Sequence, residues 1–365
     1  METPIRTVLV GIGTRGKMWV RLLHDEPLTS VVGYVDPDPH TYDWLQDRYA
    51  VPRNHWYPDL ETALASTQPA LVVLATPPMD RFREAIMVFA QGAHLLSEKP
   101  LTLDFDEGIR ITQAAEAAKR GFAVGLNFRY QHCVRRAREI FRSGEIGRPS
   151  FAQYTYWRNR DGRRPGINKF PLTMHQPMLY EQTIHHLDEI RFVYDAEVER
   201  VWCRCHNPPW SMYQDDATVV ATLEMTDGLL VNYFGTWAGQ TKVNQFLWRT
   251  DCTSGTLFQY DLFADLRIAR GTDTETITPI ALPAQEQLVD DARLMLADIV
   301  RQLLAGELRP HPAGVDHLKT FGVIAACEES NRTGQPVEMA EFYLRHAVPT
   351  AWLSSVTSTT GEDTP

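Results

Sequence analysis

The chain has 365 residues, 44% of them hydrophobic, which is enough for a sizeable core and suggests two domains. Its 36 Lys and Arg stand against 46 Asp and Glu, so the net charge is -10, which excludes a chain built to grip a nucleic-acid backbone. No run approaches the roughly 18 to 20 apolar residues of a membrane helix, and METPIRTVLVGIG enters a strand pattern at once, so neither a membrane span nor a signal peptide is expected.

From Thr7 to Gly121, β-branched runs (RTVLVGIG, TSVVGYVD, PALVVLAT, AHLLSE) alternate with helical patterns over Trp19 to His24, Tyr42 to Arg48 and Arg81 to Gln91. Strands separated by helices predict right-handed βαβ crossovers and a parallel sheet. A helix over Asp104 to Arg120 is expected to close this domain at residue 121, with FAVGLNFR supplying a further strand. After a helix over Val134 to Ser143 the pattern changes to aromatic and β-branched runs (SFAQYTYWR, ERVWCRCH, DATVVATLEM, GLLVNYFGTW, GTLFQY) without intervening helices. They predict an α+β domain with a large, mainly antiparallel sheet over residues 122–345. Helical patterns return at Gln285 to Leu304 and Val315 to Ser330, and residues 346–365 read as a tail. Five cysteines, Cys133, Cys203, Cys205, Cys252 and Cys327, are an odd, scattered set, so a reducing cytoplasm is the expected setting.

Gly11-Ile12-Gly13-Thr14-Arg15-Gly16 follows the first strand and opens the first helix, the context in which GxGxxG binds a dinucleotide pyrophosphate. Asp36 ends the second strand, where a carboxylate accepts from an adenosine ribose and repels a 2′-phosphate. NAD is therefore favoured over NADP, although Arg15 in the loop leaves NADP open. Glu181 and His185 are four apart at an expected helix start, which would place them on one face. His175, His185, His186 and Glu181 could suggest a metal, but adjacent histidines diverge on a helix and no HExxH is present, so none is expected. The aromatic density from Phe151 to Tyr260 fits a sheet with one face on a core and the other in a subunit interface, so a homo-oligomer is expected.

Ser97-Glu98-Lys99-Pro100-Leu101 resembles the EKP signature of the Gfo/Idh/MocA family of oxidoreductases. It occurs in order with GIGTRG, ATPP (Ala75 to Pro78), GLNFRY (Gly125 to Tyr130), SGEIGRP, EQTIHHLD (Glu181 to Asp188) and ESNRTGQPV, so the resemblance spans nearly the whole chain. It implies an N-terminal Rossmann domain, a C-terminal domain with an open sheet, and NAD(P)-dependent oxidation of a sugar, glycoside or cyclitol hydroxyl to a ketone. Lys99 matches the family lysine aimed at that hydroxyl, and His185 matches the second acid/base group. Glu181 is carried over as the carboxylate that orients the histidine or holds a substrate hydroxyl. Ala75, Thr76, Pro77, Glu98, Lys99 and Asn127 are implied around the cofactor together with Gly11 to Gly16 and Asp36. Arg129, Trp157, Arg158 and Asn159 are implied beside the sugar with Lys99, Glu181 and His185. Two positions depart from the pattern: Thr183 stands where glycine is usual, and Arg81 where a histidine is common. The same residues leave two other readings open, a redox-assisted glycosidase or epimerase with tightly bound NAD, and a non-catalytic NAD-responsive regulator.

Overall fold

The computed structural model describes residues 3–353. Apolar runs, rich in valine and leucine in the central strands, form β1 (Ile5–Val10), β2 (Thr29–Val35), β3 (Trp56–Tyr57), β4 (Leu71–Leu74), β5 (His94–Ser97) and β6 (Phe122–Val124), a wholly parallel sheet in the order β3-β2-β1-β4-β5-β6. That order reverses direction between β1 and β4, and such a switch point opens a crevice at the carboxyl ends of the strands. The crossovers are α1 (Thr14–Asp25), α2 (His40–Tyr49), α3 (Leu60–Thr67), α4 (Arg81–Ala90) and α5 (Phe105–Ala118). Asp59 and Asp104 cap α3 and α5 by accepting from the amides of Thr62 and Glu107 at 2.8 and 3.0 Å. The short α3 was not read from the sequence, because its eight residues carry too few turns for a periodic signal.

The second sheet has nine strands: β7 (Pro149–Trp157), β8 (Val198–His206), β9 (Thr218–Met225), β10 (Leu230–Thr236), β11 (Gln245–Cys252), β12 (Gly255–Asp261), β13 (Ala264–Arg270), β14 (Thr278–Pro279) and β15 (Val337–Glu338). Its order is β14-β13-β12-β11-β7-β10-β9-β8-β15, antiparallel throughout except for the parallel pair β7 and β10. Helices α6 (His132–Ser143), α7 (Ile184–Tyr194) and α9 (Gly314–Thr333) share a core with its inner face, which contributes Tyr154, Tyr156, Val219 and Tyr233. By alternation along the strands, Phe151, Trp157, Val220, Phe234, Trp202 and Tyr260 lie on the outer face.

Two features differ from the expected domain boundary at residue 121. β6 pairs with β5, so the first sheet runs to Val124. Helix α8 (Asp290–Leu304) returns to that sheet, where Met295, Leu296, Ile299 and Val300 pack in one cluster with Trp19, Leu23 and Val73. Its apolar stripe was visible in the sequence, but its partner lies some 270 residues earlier by number, and periodicity does not report partners. Of the expected tail, α11 (Thr350–Leu353) follows α10 (Met339–Arg345) and is tied down by Trp352, whose Nε1 donates to Glu116 at 3.0 Å; residues 354–365 lie outside the described residues. The five cysteines are unpaired. Among the described residues no helix is long and apolar enough to cross a membrane.

Candidate active site

The glycine loop sits at the carboxyl end of β1. Gly11 has φ +86°, and a Cβ built on Gly16 would lie 1.8 Å from the Gly11 carbonyl oxygen, so no larger residue fits there. A Cβ on Gly13 would meet nothing within 4 Å, so open space lies in front of the turn. Gly13 is also the N-cap of α1 and supplies no side-chain cap, which leaves the first amides of the helix available to an anion. Asp36 is buried at the end of β2 and accepts from Ile12 N at 2.6 Å and Asp38 N at 2.9 Å, joining the second strand to the glycine loop.

Arg15 reaches across to the carboxyl end of β5. Its Nε donates to Glu98 Oε1 at 2.5 Å, and its Nη2 lies 3.5 Å from Asn127 Oδ1. Glu98 also accepts from Trp19 Nε1 at 2.8 Å. Burial pushes the Glu98 carboxyl up, but the Arg15 charge and hydrogen bond, with Lys99 and Trp19, outweigh it and hold the group below the usual carboxylate range. Asn127 is 1% exposed and donates to Asp291 at the start of α8 at 2.6 Å, so it backs Arg15 from beneath. Thr76 Oγ1 donates to Glu84 at 2.5 Å in the turn that follows β4, beside Ala75 and Pro77.

Lys99 follows Glu98 at the carboxyl end of β5. Its Nζ donates to Glu181 twice, to the main-chain oxygen at 2.8 Å and to Oε2 at 3.0 Å. Glu181 therefore pairs with the lysine. It also lies in a π-helical turn, Met178–Thr183, that runs into α7, so the four-residue helical spacing to His185 does not apply there. His185 is 7% exposed and stacks on Phe128, with ring centroids 4.1 Å apart and planes 12° apart. Its Nδ1 is buried without a hydrogen-bond partner. Burial first and the Lys99 charge second hold the imidazole far below its ordinary pKa, so at neutral pH the ring is uncharged. Thr183 does not reach the cleft; its hydroxyl is 3.0 Å from Tyr233, which in turn is 2.8 Å from His186 Nδ1.

The remaining expected residues divide. Arg129, expected beside a sugar, is 3% exposed: it binds Asp188 with Nε and Nη2 at 2.6 Å each and Asp316 with Nη1 at 2.6 Å. Arg191 joins the same network through Asp316 at 2.9 Å and Glu197 at 2.6 Å. Arg129 thus joins α7 to the turn that carries Phe128, and its action on the site is indirect. Trp157 lies on the outer face, stacked on Phe234 at 4.8 Å, whereas the imidazole of His186 packs on Tyr154 and Tyr156 of the inner face. It is on the wrong side of the sheet to touch a sugar held by His185. Asn159 is committed to the Gly239 carbonyl at 2.5 Å and to Asn244. Arg158 stays exposed, within 3.2 Å of the inward-facing Tyr156 hydroxyl. Phe128, Arg81 and Asp291 were not read as site residues, since only their spatial neighbours distinguish them from core or surface residues. Among the described residues no group of three or more His, Cys, Asp or Glu is placed to hold a metal ion.

Residues 5–126 match the oxidoreductase family with an NAD-binding Rossmann fold, and residues 134–258 match the GFO/IDH/MocA C-terminal domain. The inositol 2-dehydrogenase of Rhodococcus erythropolis is 30% identical over 141 residues, 38% of each chain. The D-apiose dehydrogenase of Rhizobium rhizogenes is 23% identical over 362 residues, covering 92% of this chain and 98% of its own. Among solved structures, an oxidoreductase from Agrobacterium radiobacter in complex with NAD+, L-tartaric acid and magnesium superposes with a TM-score of 0.83 at 20% identity, over 93% of this chain and 99% of its own.

Proposed function

The chain belongs to the Gfo/Idh/MocA oxidoreductase family with an NAD-binding Rossmann domain, and on that premise we propose that it is a dehydrogenase. It oxidises a secondary hydroxyl of a sugar, glycoside or cyclitol to a ketone, reversibly. The observation that carries this reading is the Lys99–Glu181 pair at the carboxyl end of β5, whose lysine charge acts on the buried imidazole of His185. The relatives named for inositol and apiose support a polyol substrate.

The residues fit the cofactor. The open space at Gly13 and the uncapped start of α1 suit a pyrophosphate, with Gly11 to Gly16 forming the cradle. Asp36 suits an unphosphorylated adenosine ribose, and because Arg15 is engaged by Glu98 it is not directed at a 2′-phosphate, so NAD is favoured over NADP. Ala75, Thr76, Pro77, Glu98 and Lys99 would line the nicotinamide half, with Asn127 positioning Arg15. When bound, NAD supplies the hydride acceptor.

The chain's own residues manage the proton. An ammonium has three N–H donors. Glu181 takes two of those of Lys99, and the third can hold the reacting hydroxyl oxygen and stabilise charge that develops there. His185, uncharged and unpartnered at Nδ1, can accept the proton, and the same groups return it in the reverse reaction. Arg158 is the member of the Trp157-Arg158-Asn159 run that remains able to reach a substrate. The apolar outer face, with Phe151, Trp157, Trp202 and Tyr260 exposed, is read as the surface for self-association into a dimer or tetramer.

The test is the appearance of NADH absorbance with NAD, then NADP, against free sugars, glycosides and inositols. NADH formed from one polyol group is expected. No NADH, with NAD released only on denaturation, would replace this reading with transient oxidation by a bound cofactor.

A further inference from the structure

Arg81 opens α4 and is 4% exposed, yet among the described residues it makes no ion pair. All its hydrogen bonds go to main-chain carbonyls. Nε donates to Thr76 O at 2.9 Å, and Nη2 donates to the same oxygen. Nη1 donates to Glu98 O at 2.5 Å and also to Pro100 O. Thr76 lies in the turn after β4, while Glu98 and Pro100 are the two neighbours of Lys99. One guanidinium therefore fastens the ATPP turn to both carbonyls that flank the lysine. Burial weakens the hold on its proton, and the carboxylates of Glu98, Glu181 and Glu84 offset part of that cost. The guanidinium spreads four bonds to three carbonyls over three separate nitrogens, whereas a lysine offers its three donors from a single nitrogen.

We propose that Arg81 is a positioning residue for Lys99: by fixing the main chain on both sides of the lysine, it sets the reach of Nζ toward Glu181 and hence the place where a substrate hydroxyl must sit. The kinetic consequence rests on the dehydrogenase reading, but the structural consequence does not. A misplacement of about 1 Å at a reacting group costs on the order of 10²-fold in rate.

The test uses the full chain with Arg81→Lys, which keeps the charge, and Arg81→Met, which removes it. Acylation of lysines by an amine-reactive ester is followed by peptide mass spectrometry, with exposed Lys242 as the reactivity control and buried Lys319 as the monitor of global opening. The expected result in both variants is severalfold faster labelling of Lys99, with Lys242 and Lys319 unchanged. With it, kcat falls by about 10²-fold at little change in KM, and Arg81→Lys fails to rescue. Unchanged Lys99 labelling and kcat in folded variants would overturn the proposal. So would a joint rise at Lys99 and Lys319 in both variants, which would make Arg81 a residue of general stability. Faster Lys99 labelling in variants of a wild type that reduces no NAD would uphold the positioning role and overturn the dehydrogenase reading instead.

Discussion

On the cofactor side of the cleft the parts that face the dinucleotide are local in the chain: a glycine turn, the free amides of α1, and a strand-end carboxylate that binds the loop only 24 residues away. On the other side they are side chains whose partners come from far along the chain. Lys99 meets Glu181 across 82 residues, and Arg129 meets Asp188 across 59. The cofactor side fails when a single atom is added, whereas the proton-transfer side fails when a charge or ring is removed. The two sides should therefore be separable by mutation.

The sharpest break is expected in turnover. His185→Phe keeps an aromatic ring for Phe128 but removes the proposed proton acceptor, so kcat should fall by about 10² to 10⁴-fold while NAD affinity stays within severalfold. Equal turnover in that variant would remove His185 from the mechanism. Gly16→Ala should do the reverse: with a Cβ 1.8 Å from the Gly11 oxygen the loop must shift, and NAD affinity measured by calorimetry should drop by about 10²-fold or more, equivalent to about 2.7 kcal/mol. Retained NAD affinity would contradict the assignment of the loop.

Acid should weaken the second domain's side. Burial depresses His185, His186, His311 and His317, the last three to about 3. These rings are neutral when folded and take protons more readily when unfolded, so their contribution is present above the unfolded value of about 6.5 and declines as pH falls below it. Each contributes up to about 1.4 kcal/mol per pH unit, so four give an upper bound of about 5 kcal/mol per unit. The unfolding temperature should fall steeply from neutrality toward pH about 5, and a flat profile would count against four neutral buried rings. The smallest effect is expected for Asp36→Ser, which keeps an acceptor for Ile12 but removes the charge: the ratio of NADP to NAD efficiency should rise by about tenfold. No change in that ratio would show that Asp36 does not face the 2′-position.

These differences also mark what could be read in advance. The glycine turn, Asp36 and the first-sheet strands were legible because their meaning is local: a turn, a strand end, a run of buried β-branched residues. Lys99 and His185 were legible through the family resemblance. The partner of Glu181 was not, because a π-helical turn replaced the ordinary helical spacing. Arg129 reads equally well as a sugar ligand or an ion-pair residue, and only Asp188 and Asp316 decide it. Trp157 alternates correctly along β7, but alternation does not say which face is inner. Helix α8 carries a clear stripe and an unreadable destination. Arg81 departs from the family pattern, and nothing in its neighbours along the chain points to three carbonyls from two turns.

The most direct measurement combines NAD calorimetry with single-turnover kinetics on one preparation of Lys99→Met, using a substrate found by the NADH panel. The NAD dissociation constant is expected within about threefold of the wild type, with a single-turnover rate about 10³-fold lower. A rate close to the wild type, or affinity and rate falling together by the same factor, would contradict a cleft whose two walls do separate work.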